Sequence, residues 1–299
     1  RYTDRSLGNW NLGPVLGRGA MGEVYAATHN ECSEDAAVKV LHANILQNTD
    51  HVIRVFGEAR AASTLKSQHG VTVLEVSGMS EVVPYIAMER LNGSDLAFHL
   101  RKKRKFAMGE VHKLLREVGT VLDLARASDI VHRDIKPQNL LLSNEGDGHA
   151  IWKVLDFGVS KLGESSGTLT QGHIIGTPAY MAPEQAQGES VDAQADLYAL
   201  GAVAYRCLTG RPPFSGKDVA VIIFNVVCEM PTRPSLLATL HTDVDCVLAL
   251  ALAKQPSKRF TSAASLAEAL RLAEKGELDA ETRSRGESVQ EASPWSERI

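Results

Sequence analysis

Residues 132–158 constrain the fold of this chain more than any other stretch. They carry polar side chains in two groups, each beside a short apolar run, and these residues are Asp134, Lys136, Asn139 and Asp156. Asp134 can accept a proton from a hydroxyl group. Asn139 and Asp156 offer oxygen ligands to a hard cation such as Mg²⁺, which binds through few protein carboxylates and through substrate phosphates. The stretch therefore predicts a phosphoryl-transfer site that is built on two loops.

A glycine-rich segment, residues 17–22, follows the strand-like run of residues 10–16. Glycine permits positive φ angles and lets backbone N–H groups come close to a phosphate. The pattern Gly-x-Gly-x-x-Gly also occurs in the Rossmann nucleotide-binding turn, but that turn should open into a helix. Residues 23–27 instead alternate β-branched and aromatic residues with others, which favours a strand. The segment therefore predicts a β-hairpin whose turn can cover a phosphate.

A single lysine, Lys39, lies inside the apolar run of residues 36–41. Most lysines in such a run lie on the solvent side of an edge strand. The following residues, 50–65, carry apolar side chains at helical spacing, which predicts an amphipathic helix. Glu58 lies within that helix. The sequence alone leaves open whether Lys39 is a surface lysine or part of the site.

The composition sets the class of protein. With 299 residues, 44% of them hydrophobic and 23% charged, the chain can form one large two-lobed domain or two ordinary ones. A formal net charge of −4 argues against nucleic acid as a partner, because that partner requires a basic face. The sequence has no signal peptide, and no apolar run approaches the roughly 20 residues needed to cross a bilayer. The four cysteines form no Cys-x-x-Cys pair, which predicts reduced thiols in a cytoplasmic protein.

Taken together, and in this order along the chain, the motifs resemble those of eukaryotic-like (Hanks-type) serine/threonine protein kinases over about residues 12–273. Two segments are most similar to the bacterial branch, Gly19-Ala20-Met21-Gly22 and Pro183-Glu184-Gln185. The resemblance implies an α+β bilobal fold with a small, mostly antiparallel β N-lobe that carries one key helix, and a larger α-helical C-lobe. The implied organisation is a lead-in at 1–11, the N-lobe at 12–88, the hinge at 89–95 and the C-lobe at 96–275.

The resemblance also implies the reaction, in which the γ-phosphoryl group of ATP is transferred to Ser or Thr hydroxyl groups of protein substrates. Asp134 is then the residue that orients the acceptor hydroxyl and takes its proton. Lys136 contacts the transferred phosphate. Lys39, paired with Glu58, orients the α- and β-phosphates, and Asn139 and Asp156 hold Mg²⁺, for which Mn²⁺ is an alternative.

Further residues are implied to line the nucleotide site. Met88 is the gatekeeper beside the adenine, the backbone of Glu89 and Leu91 contacts the adenine edge, and Leu141 forms the floor. The implied nucleotide-binding set is Leu16, Gly17, Arg18, Gly19, Ala20, Met21, Gly22, Glu23, Val24, Ala37, Lys39, Met88, Glu89, Leu91 and Leu141.

The segment between Asp156 and Glu184 fits an activation loop. Thr168 and Thr170 are its leading candidates for phosphorylation, and Arg133 is placed to pair with a phosphate on that loop. The resemblance implies that the kinase phosphorylates its own activation loop. An exposed loop is often rich in Ser and Thr for other reasons, so the alternative of an unmodified loop stays open.

Other residues are implied to support the site rather than act in it. Glu184 should form a buried ion pair with Arg259. Asp196 should accept hydrogen bonds from the backbone of the catalytic loop, residues 132–139. His132 should pack beneath Phe157.

Residues 276–299 mix charges of both signs with Ser, Thr and Gly, and they have few large apolar residues. Such a composition cannot offset the entropy of ordering, so it predicts a disordered tail. Many bacterial members of the family continue into a juxtamembrane linker and a transmembrane helix, so contact with a membrane would come through a segment beyond residue 299. The sequence also allows a homodimer.

Two other classes of function remain open. One is a pseudokinase or nucleotide-binding scaffold, which the presence of Lys39, Asp134 and Asp156 disfavours. The other is a small-molecule phosphotransferase of the related fold, which residues 176–184 and 196–201 disfavour because that class lacks these elements. The protein substrates and the activating signal cannot be read from the sequence.

Overall fold

The computed structural model describes residues 2–19, 21–78, 83–157 and 178–297. The N-terminal part forms one six-stranded antiparallel sheet in the order β1-β2-β3-β4-β6-β5. Its strands are β1 Ser6–Leu7, β2 Trp10–Arg18, β3 Gly22–His29, β4 Asp35–Leu41, β5 Val73–Val76 and β6 Tyr85–Glu89. The helices α1 Ala43–Leu46 and α2 Thr49–Ala62 lie between β4 and β5. This arrangement confirms the predicted small antiparallel lobe with one main helix.

The sheet begins earlier than the sequence predicted. Residues 1–11 were expected to be a lead-in, but Ser6 pairs with Asn11 and Leu7 pairs with Trp10 across the β1–β2 hairpin. Trp10 is 3% exposed and donates a hydrogen bond from its indole Nε1 to Glu75 Oε2 at 2.8 Å. Trp10 and Leu12 are buried in one cluster, against which Tyr2 and Leu7 pack, so apolar contacts order this edge.

The C-terminal part is mostly helical and carries a small antiparallel sheet in the order β7-β8-β9. Its strands are β7 Gly93–Asp95, β8 Leu140–Gly146 and β9 His149–Val154. Its helices are α3 Leu96–Lys103, α4 Met108–Ala127, α5 Pro183–Ala186, α6 Ala193–Thr209, α7 Val219–Cys228, α8 Pro234–Leu237, α9 Thr242–Ala251, α10 Ala263–Glu274 and α11 Ala280–Ala292. The predicted α+β fold with a larger helical lobe is therefore confirmed.

Helix α6 forms the centre of this lobe. Asp192 caps its first turn by accepting a hydrogen bond from Gln194 N–H at 2.8 Å, and Gly210 ends it with φ +79°. Nearly all of its side chains are buried, and α4, α9 and α10 pack around it. Because α6 is held by packing on several sides, the polar side chain of Asp196 in its first turn can hold a neighbouring loop in place.

Residues 276–297 contradict the predicted disordered tail. Asp279 caps α11 by accepting a hydrogen bond from Thr282 N–H at 2.8 Å, and α11 packs along α9. Leu278, Val289 and Trp295 are 3%, 9% and 4% exposed. Composition counts the apolar residues of a segment, but it does not show that a neighbouring helix offers them a matching surface.

Among the described helices, none combines the length and the apolar character that crossing a lipid bilayer requires.

Candidate active site

The β8–β9 hairpin brings the two predicted metal-binding residues to the same end. Leu140 lies opposite Val154, and one step beyond this pair Leu155 N–H donates a hydrogen bond to Asn139 O at 2.9 Å. Asn139 precedes β8 and Asp156 follows Leu155, so the hairpin fixes both residues on adjacent backbone segments. Residues that are 17 positions apart in the sequence thus depend on a single strand register.

Asp134 lies at the centre of a compact group of polar side chains. Its Oδ2 accepts hydrogen bonds from Lys136 Nζ at 2.6 Å and from Asn139 Nδ2 at 2.8 Å. Asn139 Nδ2 also donates to the backbone oxygen of Asp134 at 2.8 Å, and Asn139 is only 8% exposed. Because both side-chain donors use Oδ2, the other carboxylate oxygen, Oδ1, can face a substrate hydroxyl.

The catalytic loop is anchored to helix α6 by Asp196. Its Oδ2 and Oδ1 accept hydrogen bonds from His132 N–H and Arg133 N–H, both at 2.7 Å. Burial raises the pKa of Asp196, while the nearby His132 and Arg133 act in the opposite direction. Arg133 has φ +67°, a conformation that non-glycine residues adopt at a cost. The predicted supporting role of Asp196 is therefore confirmed.

His132 is a packing residue, as predicted. It is fully buried, and its ring stacks edge-on against Phe157 with 4.7 Å between ring centroids. Its Nε2 lies 2.8 Å from Leu155 O, and its Nδ1 lies 3.2 Å from Asp134 N–H, which donates to it. Both ring nitrogens are engaged by the backbone, so His132 joins the catalytic loop to the loop that carries Asp156.

Lys39 reaches the site from the N-terminal sheet. Its Nζ lies 2.7 Å from Asp156 Oδ1, and the residue is only 7% exposed, which excludes the alternative of a surface lysine. Asp156 has φ +53°. Desolvation raises the pKa of the Asp156 carboxyl, but the Lys39 ammonium, together with the weaker effects of His132 and Lys136, holds that pKa below its usual value. Glu58 lies on α2 as predicted, and its pairing with Lys39 stays a prediction.

The residues present fit a magnesium ion. Both hydrogen bonds from the Asn139 side chain to Asp134 are donated by Nδ2, so Asn139 Oδ1 can act as a ligand. Asp156 uses Oδ1 toward Lys39, and its lowered pKa keeps the carboxylate charged. A neutral and an anionic oxygen donor on adjacent loops suit Mg²⁺, which takes its remaining ligands from phosphates and water.

The register of the N-terminal sheet gathers the predicted nucleotide-binding residues on one face. Val24 lies opposite Lys39, and Ala37 lies opposite Met88. Directly opposed residues in an antiparallel pair share a face, as do residues two apart on one strand. Val24, Ala37, Lys39 and Met88 therefore project together toward the helical lobe.

A small cavity of about 30 Å³ lies against this face of the sheet, and residues from both lobes line it. It holds roughly one water molecule. Its lining combines the sheet, helix α2 and the β9 segment, and includes Lys39, Ala59, Ile86, Met88, Asp156 and Phe157.

The glycines of the hairpin turn serve two different purposes. A Cβ atom at Gly17 would meet no atom within 4 Å, so the space beside it is open to a ligand. A Cβ atom at Gly22 would lie 2.2 Å from Val40 O, so Gly22 is required for the packing of β3 on β4. Across the hairpin, Arg18 Nε lies 3.0 Å from Glu23 Oε1. Leu16, in β2 before the turn, is 50% exposed. Met21 packs against the α2 side of the sheet, and Ala20 lies outside the described residues.

The hinge residues show how adenine can be bound. Glu89 N–H donates to Thr72 O at 2.9 Å, which leaves the Glu89 carbonyl as the group that can face adenine. Leu141, the predicted floor, lies opposite Lys153 in the β8–β9 register. Lys153 is 5% exposed, and its Nζ lies within 3.0 Å of both Glu89 carboxylate oxygens. Sequence reasoning missed this pair, although a lysine within the apolar run 151–154 was the same signal that singled out Lys39.

The ion pair predicted between Glu184 and Arg259 is present and buried. Arg259 Nη1 and Nη2 donate to Glu184 Oε1 and Oε2 at 2.6 and 2.7 Å, and the two residues are 1% and 5% exposed. The next residue, Gln185, donates from Nε2 to Arg133 O at 3.0 Å. Gln185 therefore links the segment that carries Glu184 to the backbone of the catalytic loop. The candidate phosphorylation sites Thr168 and Thr170 lie outside the described residues.

Comparison with known proteins gives a consistent result. Residues 10–270 match the protein kinase domain family. The chain is 38% identical over 268 residues to the serine/threonine-protein kinase Pkn1 of Myxococcus xanthus, covering 89% of this chain and 38% of that protein. It is 35% identical over 264 residues to the serine/threonine-protein kinase PknB of Mycobacterium tuberculosis, covering 86% of this chain and 41% of that protein. The chain thus spans about two fifths of the length of these relatives.

A solved structure of the Mycobacterium tuberculosis PknI kinase domain is similar in fold, with a TM-score of 0.72 and 27% sequence identity. The match covers 90% of this chain and 98% of that domain. The sequence match over residues 10–270 and the shared two-lobed fold agree with the site geometry described above. This chain belongs to the protein kinase family.

Proposed function

We propose that this chain is an ATP-dependent serine/threonine protein kinase. The observation that carries the proposal is the connected group formed by Lys39, Asp156, Asn139 and Asp134, which come from both lobes. Lys39 Nζ forms a 2.7 Å ion pair with Asp156 Oδ1. Asp156 is linked to Asn139 through its neighbour Leu155, whose N–H donates to Asn139 O at 2.9 Å. Asn139 Nδ2 in turn donates to Asp134 Oδ2 at 2.8 Å. Curated relatives with the names of serine/threonine kinases add support.

The proposed reaction joins the acceptor hydroxyl oxygen to the γ-phosphorus of ATP and breaks the bond between that phosphorus and the β–γ bridging oxygen. Asp134 orients the hydroxyl and takes its proton, and ADP leaves with the electron pair of the broken bond. Lys136, whose Nζ is 2.6 Å from Asp134, is close enough to offset negative charge on the transferred group. Bound Mg²⁺, held by Asn139 and Asp156, would neutralise charge on the phosphate oxygens.

Lys39 contributes by orientation. Its ammonium is held next to Asp156 in the structure, so it lies where the α- and β-phosphates of ATP must pass to reach the metal-binding residues. We infer that Lys39 contacts these phosphates when ATP is bound and that Glu58 on α2 supports it. Most of the catalytic effect then comes from positioning and from charge stabilisation.

Two finer parts of the proposal concern regulation and location. We infer that Thr168 or Thr170 is autophosphorylated and that Arg133, next to Asp134, receives a phosphate placed on that loop. We also infer a cytoplasmic location, since Cys32 and Cys228 are exposed free thiols of the kind that a reducing compartment maintains.

The proposal is tested by incubating the purified chain with ATP and Mg²⁺ and mapping phosphorylated residues by mass spectrometry. A panel of Ser/Thr peptides, Tyr peptides and small-molecule acceptors is assayed in parallel with radiolabelled ATP, and a chelator serves as the control. Transfer to the protein or to Ser/Thr peptides that stops with the chelator is expected. Binding of ATP with no transfer to any acceptor would instead favour a nucleotide-binding scaffold.

A further inference from the structure

The pair Glu89–Lys153 joins the two lobes at the adenine side of the cleft. Lys153 lies on β9 of the helical lobe, and Glu89 ends β6 of the N-terminal sheet. Nζ of Lys153 lies 3.0 Å from Glu89 Oε1 and 2.9 Å from Oε2. The side chains are 7% and 26% exposed, so the pair is screened by water far less than a surface ion pair.

Glu89 is held by a second partner, Thr72. Thr72 N–H donates to Glu89 Oε1 at 2.7 Å, and Glu89 N–H donates to Thr72 O at 2.9 Å. The backbone and the side chain of Glu89 are therefore both fixed by the same neighbour. This arrangement leaves little freedom for the orientation of the Glu89 peptide group, whose carbonyl is the predicted partner of adenine.

The segment that contains Thr72 is itself attached to β9. Val154 N–H donates to His69 O at 2.8 Å, and Val71 N–H donates to Val154 O at 3.1 Å. His69 Nδ1 also lies 3.0 Å from Trp152 O. Three chain segments thus meet at one point: the connection from α2 to β5, the end of β6, and β9. Lys153 is the side chain of β9 that carries the opposite charge to Glu89.

The position of Lys153 connects this junction to the nucleotide site. Lys153 lies opposite Leu141, so the two side chains project from the same face of the β8–β9 hairpin. Leu141 is the predicted floor beneath adenine, and Glu89 is at its predicted edge. A change in the Glu89–Lys153 pair would therefore move Glu89, at the predicted edge of adenine, relative to Leu141, beneath the adenine.

We propose that Glu89 and Lys153 are positioning residues for ATP: their ion pair fixes the adenine-contacting end of β6 relative to the floor at Leu141. The pair determines how tightly ATP is bound, and it does not take part in phosphoryl transfer. The inference rests on the proposed function, because it concerns the nucleotide that this function uses.

The test measures KM for ATP and kcat for Lys153→Met, Glu89→Gln and the double variant, with thermal unfolding as the check on folding. Each single variant should raise KM for ATP about tenfold, which corresponds to about 1.4 kcal/mol, and change kcat by no more than about twofold. Because the two side chains act as one unit, the double variant should resemble the single variants rather than multiply their effects. If Lys153→Met does not fold, the double variant, which buries no unpaired charge, replaces it.

Two further variants separate positioning from general effects. Lys153→Arg keeps the positive charge and should retain most of the ATP affinity. Arg271→Gln, on the surface of α10, breaks an exposed ion pair in which Arg271 Nη2 lies 2.7 Å from Glu268 Oε1, and it should leave KM unchanged. The inference would be overturned if folded Lys153→Met had an unchanged KM for ATP, with or without a rise in kcat. It would also be overturned if the increase in KM of the double variant were the product of the two single increases.

Binding of ATP to the same variants is also measured by calorimetry. If the wild-type chain binds ATP but transfers no phosphoryl group, the proposed function fails. The dissociation constants of the variants still decide whether the pair positions the nucleotide.

Discussion

Lys39 Nζ lies 2.7 Å from Asp156 Oδ1, and this contact joins strand β4 of the N-terminal lobe to the loop of the helical lobe that carries Asp156. Lys39 is almost fully buried, so its ammonium must have an anionic partner. The carboxylate of Asp156 fills that role in the structure. In the proposed reaction the phosphates of ATP are a second anionic partner, so the nucleotide and Asp156 share the same cation.

This contact predicts the titration of Asp156. The pKa of Asp156 is held below its usual value of about 3.9. Lys39→Met removes the strongest of the charges that lower it, while desolvation and the weaker effects of His132 and Lys136 remain, so the pKa should rise. Carbon-13 NMR of the labelled carboxyl groups measures the change, with Asp156→Asn to assign the signal. The control is Lys66→Met, at an exposed lysine, which should leave the pKa of Asp156 unchanged. If Lys39→Met also left this pKa unchanged, the ion pair would not form in solution.

The same shift has a consequence for stability. A carboxyl group whose pKa is lower in the folded state stabilises that state fully above the pKa of the unfolded chain, and the contribution is lost as the pH falls through the folded-state value. The difference in unfolding free energy between wild type and Lys39→Met should therefore shrink as the pH falls from the folded-state pKa of Asp156 in the variant to its lower value in the wild type. Urea unfolding at a series of pH values measures it, and a difference that is independent of pH would contradict the assignment.

Asp134→Asn should bind ATP normally and lose turnover by about 10²–10⁴-fold, the usual contribution of a general base. The amide keeps the size of the side chain, and its oxygen can still accept a hydrogen bond from Lys136 or Asn139, so the loop should remain folded. Calorimetry with ATP and a peptide phosphorylation assay measure the two effects. The matched control is Asp147→Asn in the exposed β8–β9 turn, where φ is +49° and asparagine is well tolerated. Equal turnover in the two variants would remove Asp134 from its proposed role.

The residues that could be predicted from sequence carry their chemistry within a short motif. Asp196 and the pair Glu184–Arg259 occupy their predicted places because a buried carboxylate must have a donor, and the resemblance indicated which one. The strand character of residues 23–27 also distinguished a hairpin from a Rossmann turn. In each case local pattern and tertiary structure agree.

What could not be predicted depends on surfaces that only the fold brings together. Glu89 was predicted only through its backbone, and Lys153, 64 positions away, belongs to no motif that the sequence indicated. The partner of Lys39 is a choice between carboxylates on different elements, which residue type cannot decide. The tail was judged by its composition, although its order depends on the surface of α9.

Glu184→Ala should lower the free energy of unfolding by about 3–5 kcal/mol, because it leaves the buried Arg259 guanidinium without its carboxylate. Urea unfolding measures the loss. The control is Glu268→Ala, which removes one partner of an ion pair with Arg271 on the surface of α10 and should change stability far less. Similar losses in the two variants would mean that the buried pair is no more important than an exposed one.

The packing of α11 gives the last prediction. A Cβ atom at Gly286 would lie 2.6 Å from Cys246 Cβ and 2.8 Å from Cys246 O, so Gly286→Ala should destabilise the fold by about 1–3 kcal/mol through overpacking. Gly57→Ala inside α2 is the matched control, because a Cβ atom there meets nothing within 4 Å and alanine favours the middle of a helix by about 0.5–1 kcal/mol. The two substitutions should therefore have opposite signs in urea unfolding. If α11 did not pack on α9 in solution, Gly286→Ala would lose its destabilising effect and the two signs would no longer differ.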